Sequence, residues 1–364
     1  MTPLYLPRSS RILVIALRRL GDVLLTTPLI RSMRQAWPSA TIDVLVFADT
    51  APILAGNPDI DHVIAIPAKP GIGESLSLLR ALFRRYALAV STQAGDRPTF
   101  YAAVAGRTRV ALVEPERKGR FKQSFLDRVV VHEPGVHRVE EMLRFCDALG
   151  IPRVPQVVPP RTEDLSGFVI GGRYVVIHAA PFFRYKQWTP EGWRMLAAAL
   201  IARGLSVIAT GGPGDVERRY LDEVWGQGGT AVPSVRRLDG RLSWPQLTAL
   251  LAGATLYVGP DTSVTHLAAA TGCSTVAVFG PTDPRLWGPW PQQGLSEPWR
   301  DAGENGAAQR RGNVVLVQNA LPCMPCQLEG CERRLESDSA CLLELSAEKV
   351  MAACEIALRA IRDD

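Results

Sequence analysis

Arg11-Ile12-Leu13-Val14-Ile15-Ala16 runs almost directly into Leu20-Gly21-Asp22-Val23-Leu24, and that succession decides the fold. An unbroken apolar run of this length is the mark of a strand buried on both faces, as in a parallel sheet. Behind it, residues 22–37 carry Val23, Leu24, Pro28, Ile30 and Met33 at helical spacing until Pro38 stops them. Polar residues at such a strand-to-helix junction project from the carboxyl end of a strand, where open α/β sheets bind ligands.

The same alternation continues outward. Strands are expected at 41–46, 62–66, 88–91 and 109–113, with helical segments at 51–55, 75–85 and 97–105 between them. An amphipathic helix over 139–149 leads into the proline-rich stretch 151–160, which interrupts regular structure. The pattern then restarts, with strands at 174–178, 206–210, 255–258 and 275–279 and helices at 190–202, 215–225, 244–252 and 263–271. Residues 288–312, rich in Gly, Pro, Gln and Glu, read as a long irregular excursion. The expectation is therefore an α/β protein of two domains, 1–160 and 161–345, whose parallel sheets face a central cleft. A last helix over 346–364, capped by Ser346 with Glu348 in its first turn, is free to pack back on the first domain.

Bulk properties agree with a folded globular protein. The 364 residues exceed one ordinary core, and 47% are apolar against 21% charged. The net charge of +5 is modest and its arginines are scattered, which argues against nucleic acid as a partner. The first apolar run is one strand long and ends at Arg18-Arg19, which fits neither a signal peptide nor a membrane span. A cytoplasmic protein is expected, with basic side chains able to meet anionic lipid at the inner face of a membrane.

Two junctions carry the chemistry. At the first, Gly21 leaves room for a ligand and Asp22 is either a helix N-cap or a base able to take a proton from a hydroxyl. At the second, Gly259-Pro260-Asp261-Thr262-Ser263-Val264-Thr265-His266 opens a helix whose exposed N–H groups and the Thr262 and Ser263 hydroxyls make an anion site. Asp261 or Thr262 can cap that helix at the same time. His266, one turn in, reads as a packed residue or as part of the pocket. Arg184 and Lys186 lie on the loop after strand 174–178 and either neutralise a diphosphate or are two cations of a solvated loop. Asp215 and Glu217, after Gly211-Gly212-Pro213-Gly214, can bond a ribose or simply serve a glycine-rich turn. Neither GxGxxG nor GxxxxGK[ST] occurs, which weakens dinucleotide oxidoreductase and P-loop readings. Cys323, Cys326, Cys331 and Cys341 form a possible structural cluster, but their spacing is not that of a standard finger, so no metal is expected.

In combination, Arg18-x-x-Gly21-Asp22-Val23-Leu24-Leu25-Thr26-Thr27-Pro28, Lys186-x-Trp188, Gly259-x-Asp261-Thr262-x-x-x-His266-Leu267-Ala268-Ala269-Ala270 and Val276-x-Val278-Phe279-Gly280-Pro281-Thr282 resemble glycosyltransferase family 9, the ADP-heptose:lipopolysaccharide heptosyltransferases. Cys323-x-Pro325-Cys326 is similar to the cysteine tail of part of that family. The resemblance implies a GT-B fold of two Rossmann-like domains, the first binding acceptor and the second the nucleotide-sugar. It implies inverting, metal-independent transfer from ADP-heptose to a lipopolysaccharide inner-core acceptor, with no cofactor required. By position, it makes Asp22 the general base beside Gly21 and Arg18, Lys186 the diphosphate neutraliser, and Asp261, Thr262, Ser263 and His266 the phosphate pocket. Arg120 and Lys122, in a basic run with Arg117 and Lys118, are candidates to meet the acceptor or simply a solvated charged face. Many relatives have Gly where this chain has Ser263, so two alternatives stay open: a GT-B transferase or epimerase using another nucleotide-sugar, and a non-catalytic nucleotide-binding relative.

Overall fold

The computed structural model describes residues 3–115, 124–168, 170–227, 232, 234–301 and 306–363. The chain divides into Met1–Arg161 and Thr162–Asp364, one residue from the boundary expected at the end of the proline-rich stretch.

The first unit holds β1 (Arg11–Ile15), β2 (Thr41–Phe47), β3 (His62–Ile66), β4 (Tyr86–Ser91), β5 (Gly106–Val113) and β6 (Arg128–Val131). They lie in the order β3-β2-β1-β4-β5-β6, every neighbour parallel. This is the doubly wound order, and its switch point falls between β1 and β4, the position at which open sheets of this kind bind ligands. Ile12 to Ile15 are all fully buried, which is why they read as a continuous apolar run.

The helix expected over 22–37 is broken in two, α1 (Leu20–Leu24) and α2 (Thr27–Ala36). Pro28 explains the break: it has no N–H to give, and its ring would meet the carbonyl of Leu24 in a continuous helix. The hydroxyls of Thr26 and Thr27 take up the carbonyls so released, donating to Asp22 at 2.8 Å and to Leu24 at 2.7 Å. The break leaves Asp22 on a single short turn at the carboxyl end of β1. The unit is completed by α3 (Ile72–Leu82), α4 (Asp96–Ala105) and α5 (Arg138–Leu149).

The second unit repeats the plan with β7 (Tyr174–His178), β8 (Ser206–Thr210), β9 (Val235–Arg237), β10 (Leu256–Pro260), β11 (Thr275–Phe279), β12 (Gln309–Arg311) and β13 (Val314–Gln318). Their order is β12-β13-β11-β10-β7-β8-β9, parallel except for the antiparallel edge strand β12. The switch point lies between β7 and β10, whose carboxyl ends lead to Lys186 and Asp261. The helices are α6 (Pro190–Ala202), α7 (Asp215–Trp225), α8 (Trp244–Ala252), α9 (Ser263–Thr271), α10 (Pro284–Trp287), α11 (Ala340–Leu343) and α12 (Ala347–Asp363). The expected excursion over 288–312 is corrected at its end, where 309–311 pair with β13.

The final helix is also corrected. Val350, Ala353, Cys354 and Ala357 of α12 are buried in the second unit's own core with Val276, Val315 and Trp193, and Trp188 Nε1 donates to the Leu345 carbonyl at 2.8 Å. The helix therefore belongs to the second sheet, because its apolar stripe at helical spacing is consumed there.

Candidate active site

Asp22 lies within α1, whose N-cap is Arg19 with no side-chain bond, so the capping alternative is removed. Its carboxylate is nearly buried, and Oδ1 lies 3.2 Å from Arg18 Nε and 3.6 Å from Arg138 Nε. Neither contact has hydrogen-bond geometry, so Oδ1 is a buried acceptor among the described residues that lacks a hydrogen. A carboxylate oxygen in that state keeps a lone pair for an incoming O–H. Gly21 is part of the same turn, its carbonyl accepting the Leu25 N–H at 2.9 Å.

Arg138 is the residue that sequence reasoning missed. It sits in the first turn of α5, is 4% exposed, and donates to Glu141 Oε2 at 2.5 Å and to the Thr92 carbonyl at 3.2 Å. Burial pulls its guanidinium below the ordinary value, Asp22 and Glu141 opposing. Only its place at the head of the amphipathic helix was visible in the sequence; its long-range partner was not.

In the second unit, Lys186 Nζ contacts Asp261 Oδ2 at 2.5 Å, and Thr282 donates its hydroxyl to the same oxygen at 2.7 Å. Burial pushes the Asp261 carboxyl up, but Lys186, His266 and the hydroxyl of Thr282 outweigh it and hold it below the usual range. Thr282 belongs to a motif to which the sequence assigns no role; here it braces Asp261. Thr262 is the N-cap of α9, its hydroxyl accepting the Thr265 N–H, so of the two capping candidates it is Thr262 that caps. Ser263 is the first helical residue, and the N–H groups of Ser263 and Val264 precede any intrahelical partner. His266 is buried one turn in.

The start of α9 is fixed from behind. Tyr257 and Thr265 hydroxyls are 2.8 Å apart, and Thr265 Oγ1 donates to the Pro260 carbonyl at 2.5 Å. A Cβ at Gly259 would lie 2.1 Å from the Tyr257 hydroxyl, so glycine is what lets that ring brace the turn.

The other candidates have their own partners. Arg184 forms a forked pair with Asp338, at 2.8 and 2.9 Å, with both side chains exposed. Glu217 accepts the Gly212 N–H at 2.7 Å and burial raises its carboxyl. A Cβ at Gly212 would meet that carboxylate at 2.6 Å, so Glu217 shapes the glycine turn. Asp215 is exposed beside Arg218 at 3.3 Å. Arg117, Lys118, Arg120 and Lys122 lie outside the described residues. Cys323 and Cys331 are exposed, Cys326 half-buried and Cys341 buried; burial, with the other three thiols adding, pushes Cys341 up to about 12. Among the described residues no group of His, Cys, Asp and Glu is arranged to hold a metal.

Residues 102–296 match glycosyltransferase family 9 (heptosyltransferase). The chain is 31% identical over 287 residues to lipopolysaccharide heptosyltransferase 3 of Escherichia coli, covering 74% of this chain and 83% of that protein. Against lipopolysaccharide heptosyltransferase 1 of Pseudomonas aeruginosa it is 27% identical, with 93% and 92% covered. In structure it is similar to E. coli ADP-heptose lps heptosyltransferase II, with a TM-score of 0.73 at 20% identity over 97% of this chain and 99% of that one. That likeness extends to the whole two-unit GT-B plan.

Proposed function

The chain belongs to glycosyltransferase family 9, the heptosyltransferases, and from that footing we propose that it transfers heptose from ADP-heptose to a lipopolysaccharide inner-core acceptor. The transfer is an inverting displacement with Asp22 as general base and no metal. Asp22 takes the proton of the acceptor hydroxyl, and the oxygen attacks the anomeric carbon. The bond from that carbon to the diphosphate breaks, and ADP leaves with the electron pair.

One observation carries this reading: Asp22 Oδ1 is a buried, ion-paired carboxylate oxygen without a hydrogen-bond donor, at the switch point of its sheet. On the donor side, Lys186 is already neutralised by Asp261, and a diphosphate at the start of α9 takes over that cation together with the Ser263 and Val264 N–H groups. His266 closes the same pocket, and Glu217 shapes the turn against which the ribose rests. Arg120 and Lys122 remain candidates for the phosphorylated acceptor. No helix among the described residues is long and apolar enough to cross a membrane, and we place the protein in the cytoplasm with peripheral contact at the inner membrane.

The test is Asp22→Asn assayed with ADP-heptose and a lipopolysaccharide acceptor. Loss of a general base lowers kcat by about a hundredfold or more, while ADP affinity, governed by the second unit, stays unchanged. Full turnover in that variant removes Asp22 from the mechanism. Ser263, a departure from the motif of the family it resembles, sustains a second reading with another nucleotide-sugar donor; stronger thermal stabilisation by UDP or GDP than by ADP selects it.

A further inference from the structure

Helix α3 has a side that the first unit leaves uncovered. Leu82 at its end is 1% exposed, but Ile72, Leu76 and Phe83 are 84%, 50% and 66% exposed. Their spacing, four and then seven residues, puts them on one stripe of the helix and its first following residue. Single exposed apolar residues are ordinary on a protein surface; a row of them on one element is not. The neighbouring helix adds Phe100, 53% exposed. Arg97 of α4 donates to the Ala68 carbonyl at 2.7 Å, which ties the first turn of α4 to the loop that enters α3.

Charge supplies the second observation. Lys69, Arg80, Arg84 and Arg85 are exposed, and among the described residues none has a carboxylate partner. Elsewhere Arg11, Arg109, Arg153, Arg203, Arg237 and Arg285 each have one. The one acid in residues 69–85, Glu74, is engaged by the Gly71 N–H at 2.7 Å. Uncompensated cations therefore stand before, within and after the apolar stripe. Long basic side chains in that arrangement extend their stems along apolar surface and carry their charges to the level of lipid phosphates.

We propose that this side of α3 docks the protein on anionic phospholipid bilayers, with Ile72, Leu76 and Phe83 entering the boundary between headgroups and acyl chains and Lys69, Arg80, Arg84 and Arg85 pairing with lipid phosphate. The proposal rests on the peripheral membrane contact proposed above and assigns it a surface; its test needs neither donor nor acceptor.

The full chain is floated with vesicles of phosphatidylethanolamine containing phosphatidylglycerol, and separately with phosphatidylcholine alone. Binding is expected to the anionic vesicles and to weaken with salt. The variant I72S/L76S/F83S loses partitioning by about tenfold or more, and R80S/R84S/R85S by about fivefold for each charge removed at low salt. All six positions are exposed, so both variants keep the parental melting temperature and ADP binding. Equal binding to neutral vesicles, or undiminished binding by either variant, overturns the proposal. So does a parental dimer that I72S/L76S/F83S dissolves in sedimentation, since a second copy then occupies this face.

Discussion

Arg138 Nε lies 3.6 Å from Asp22 Oδ1 while the same guanidinium donates to Glu141 at 2.5 Å. Glu141 in turn meets His132 Nδ1, so one buried cation stands between two carboxylates. Arginine keeps its charge even where burial opposes it, and its fork lets it serve both partners. Replacing it by Met strands two nearly buried carboxylates, and Arg138→Met is expected to lose about 3–5 kcal/mol of stability, read by urea unfolding. Arg138→Lys keeps the charge without the fork and falls between the two. A Met variant as stable as the parent shows that the pair is not held by charge.

Lys186 and Asp261 form the corresponding pair in the second unit. Lys186→Met leaves the Asp261 carboxylate buried without its cation, so both stability and ADP affinity fall. Adding Asp261→Asn removes the stranded charge. The double variant should recover most of the lost stability, roughly 3–5 kcal/mol, while ADP binding remains weak. Recovery of ADP affinity in the double variant rules out a direct role for Lys186 at the diphosphate.

On the interior strand β2 of the first sheet, Asp43 accepts from Arg11 at 2.5 Å and Tyr86 at 2.8 Å, with His62 at 2.9 Å. Burial pushes its carboxyl up, but these three partners outweigh it and hold it below the usual range. A depressed folded value means that the unfolded chain binds the proton more readily. The stabilisation is thus complete above the unfolded value, about 3.9, and is lost as pH falls through the lower folded one. Melting temperatures should drop in that acid window, and Asp43→Asn should flatten the drop. Asp261 and Asp127 have the same sign, so some slope survives. An unaltered slope in Asp43→Asn removes the linkage.

Period and composition made most of the fold legible, because runs such as Tyr174–His178 and Thr275–Phe279 are buried on both faces and so are apolar without interruption. The expected alternation omitted β6, β9, β12 and β13. Three of these have only three or four residues, too few for periodicity to register. The fourth, Val314–Gln318, is fully buried, and its apolar run is plain in the sequence although it directly follows the irregular stretch. The helix break at Pro28 was legible from proline chemistry, yet the spacing of apolar residues across it favoured one helix. Among the candidate site residues, Asp22 in the first unit and Lys186, Asp261 and Thr262 in the second follow strand ends that local pattern can find. Arg138 and Thr282 act through partners distant in sequence, 116 and 21 residues away, and no local pattern encodes such pairings.

Metal independence has its own test, since Lys186 and the start of α9 are proposed to carry the charge of the departing diphosphate. Protein treated with a chelator should transfer heptose within about twofold of the untreated rate. A larger loss that magnesium or manganese restores places a cation on the leaving group and ends that part of the proposal. The four cysteines from Cys323 to Cys341 give a separate outcome. If chelation releases metal and lowers the melting temperature while the folded fraction turns over normally, the metal holds the cysteine segment together and has no part in the displacement, because structural sites act through folding free energy.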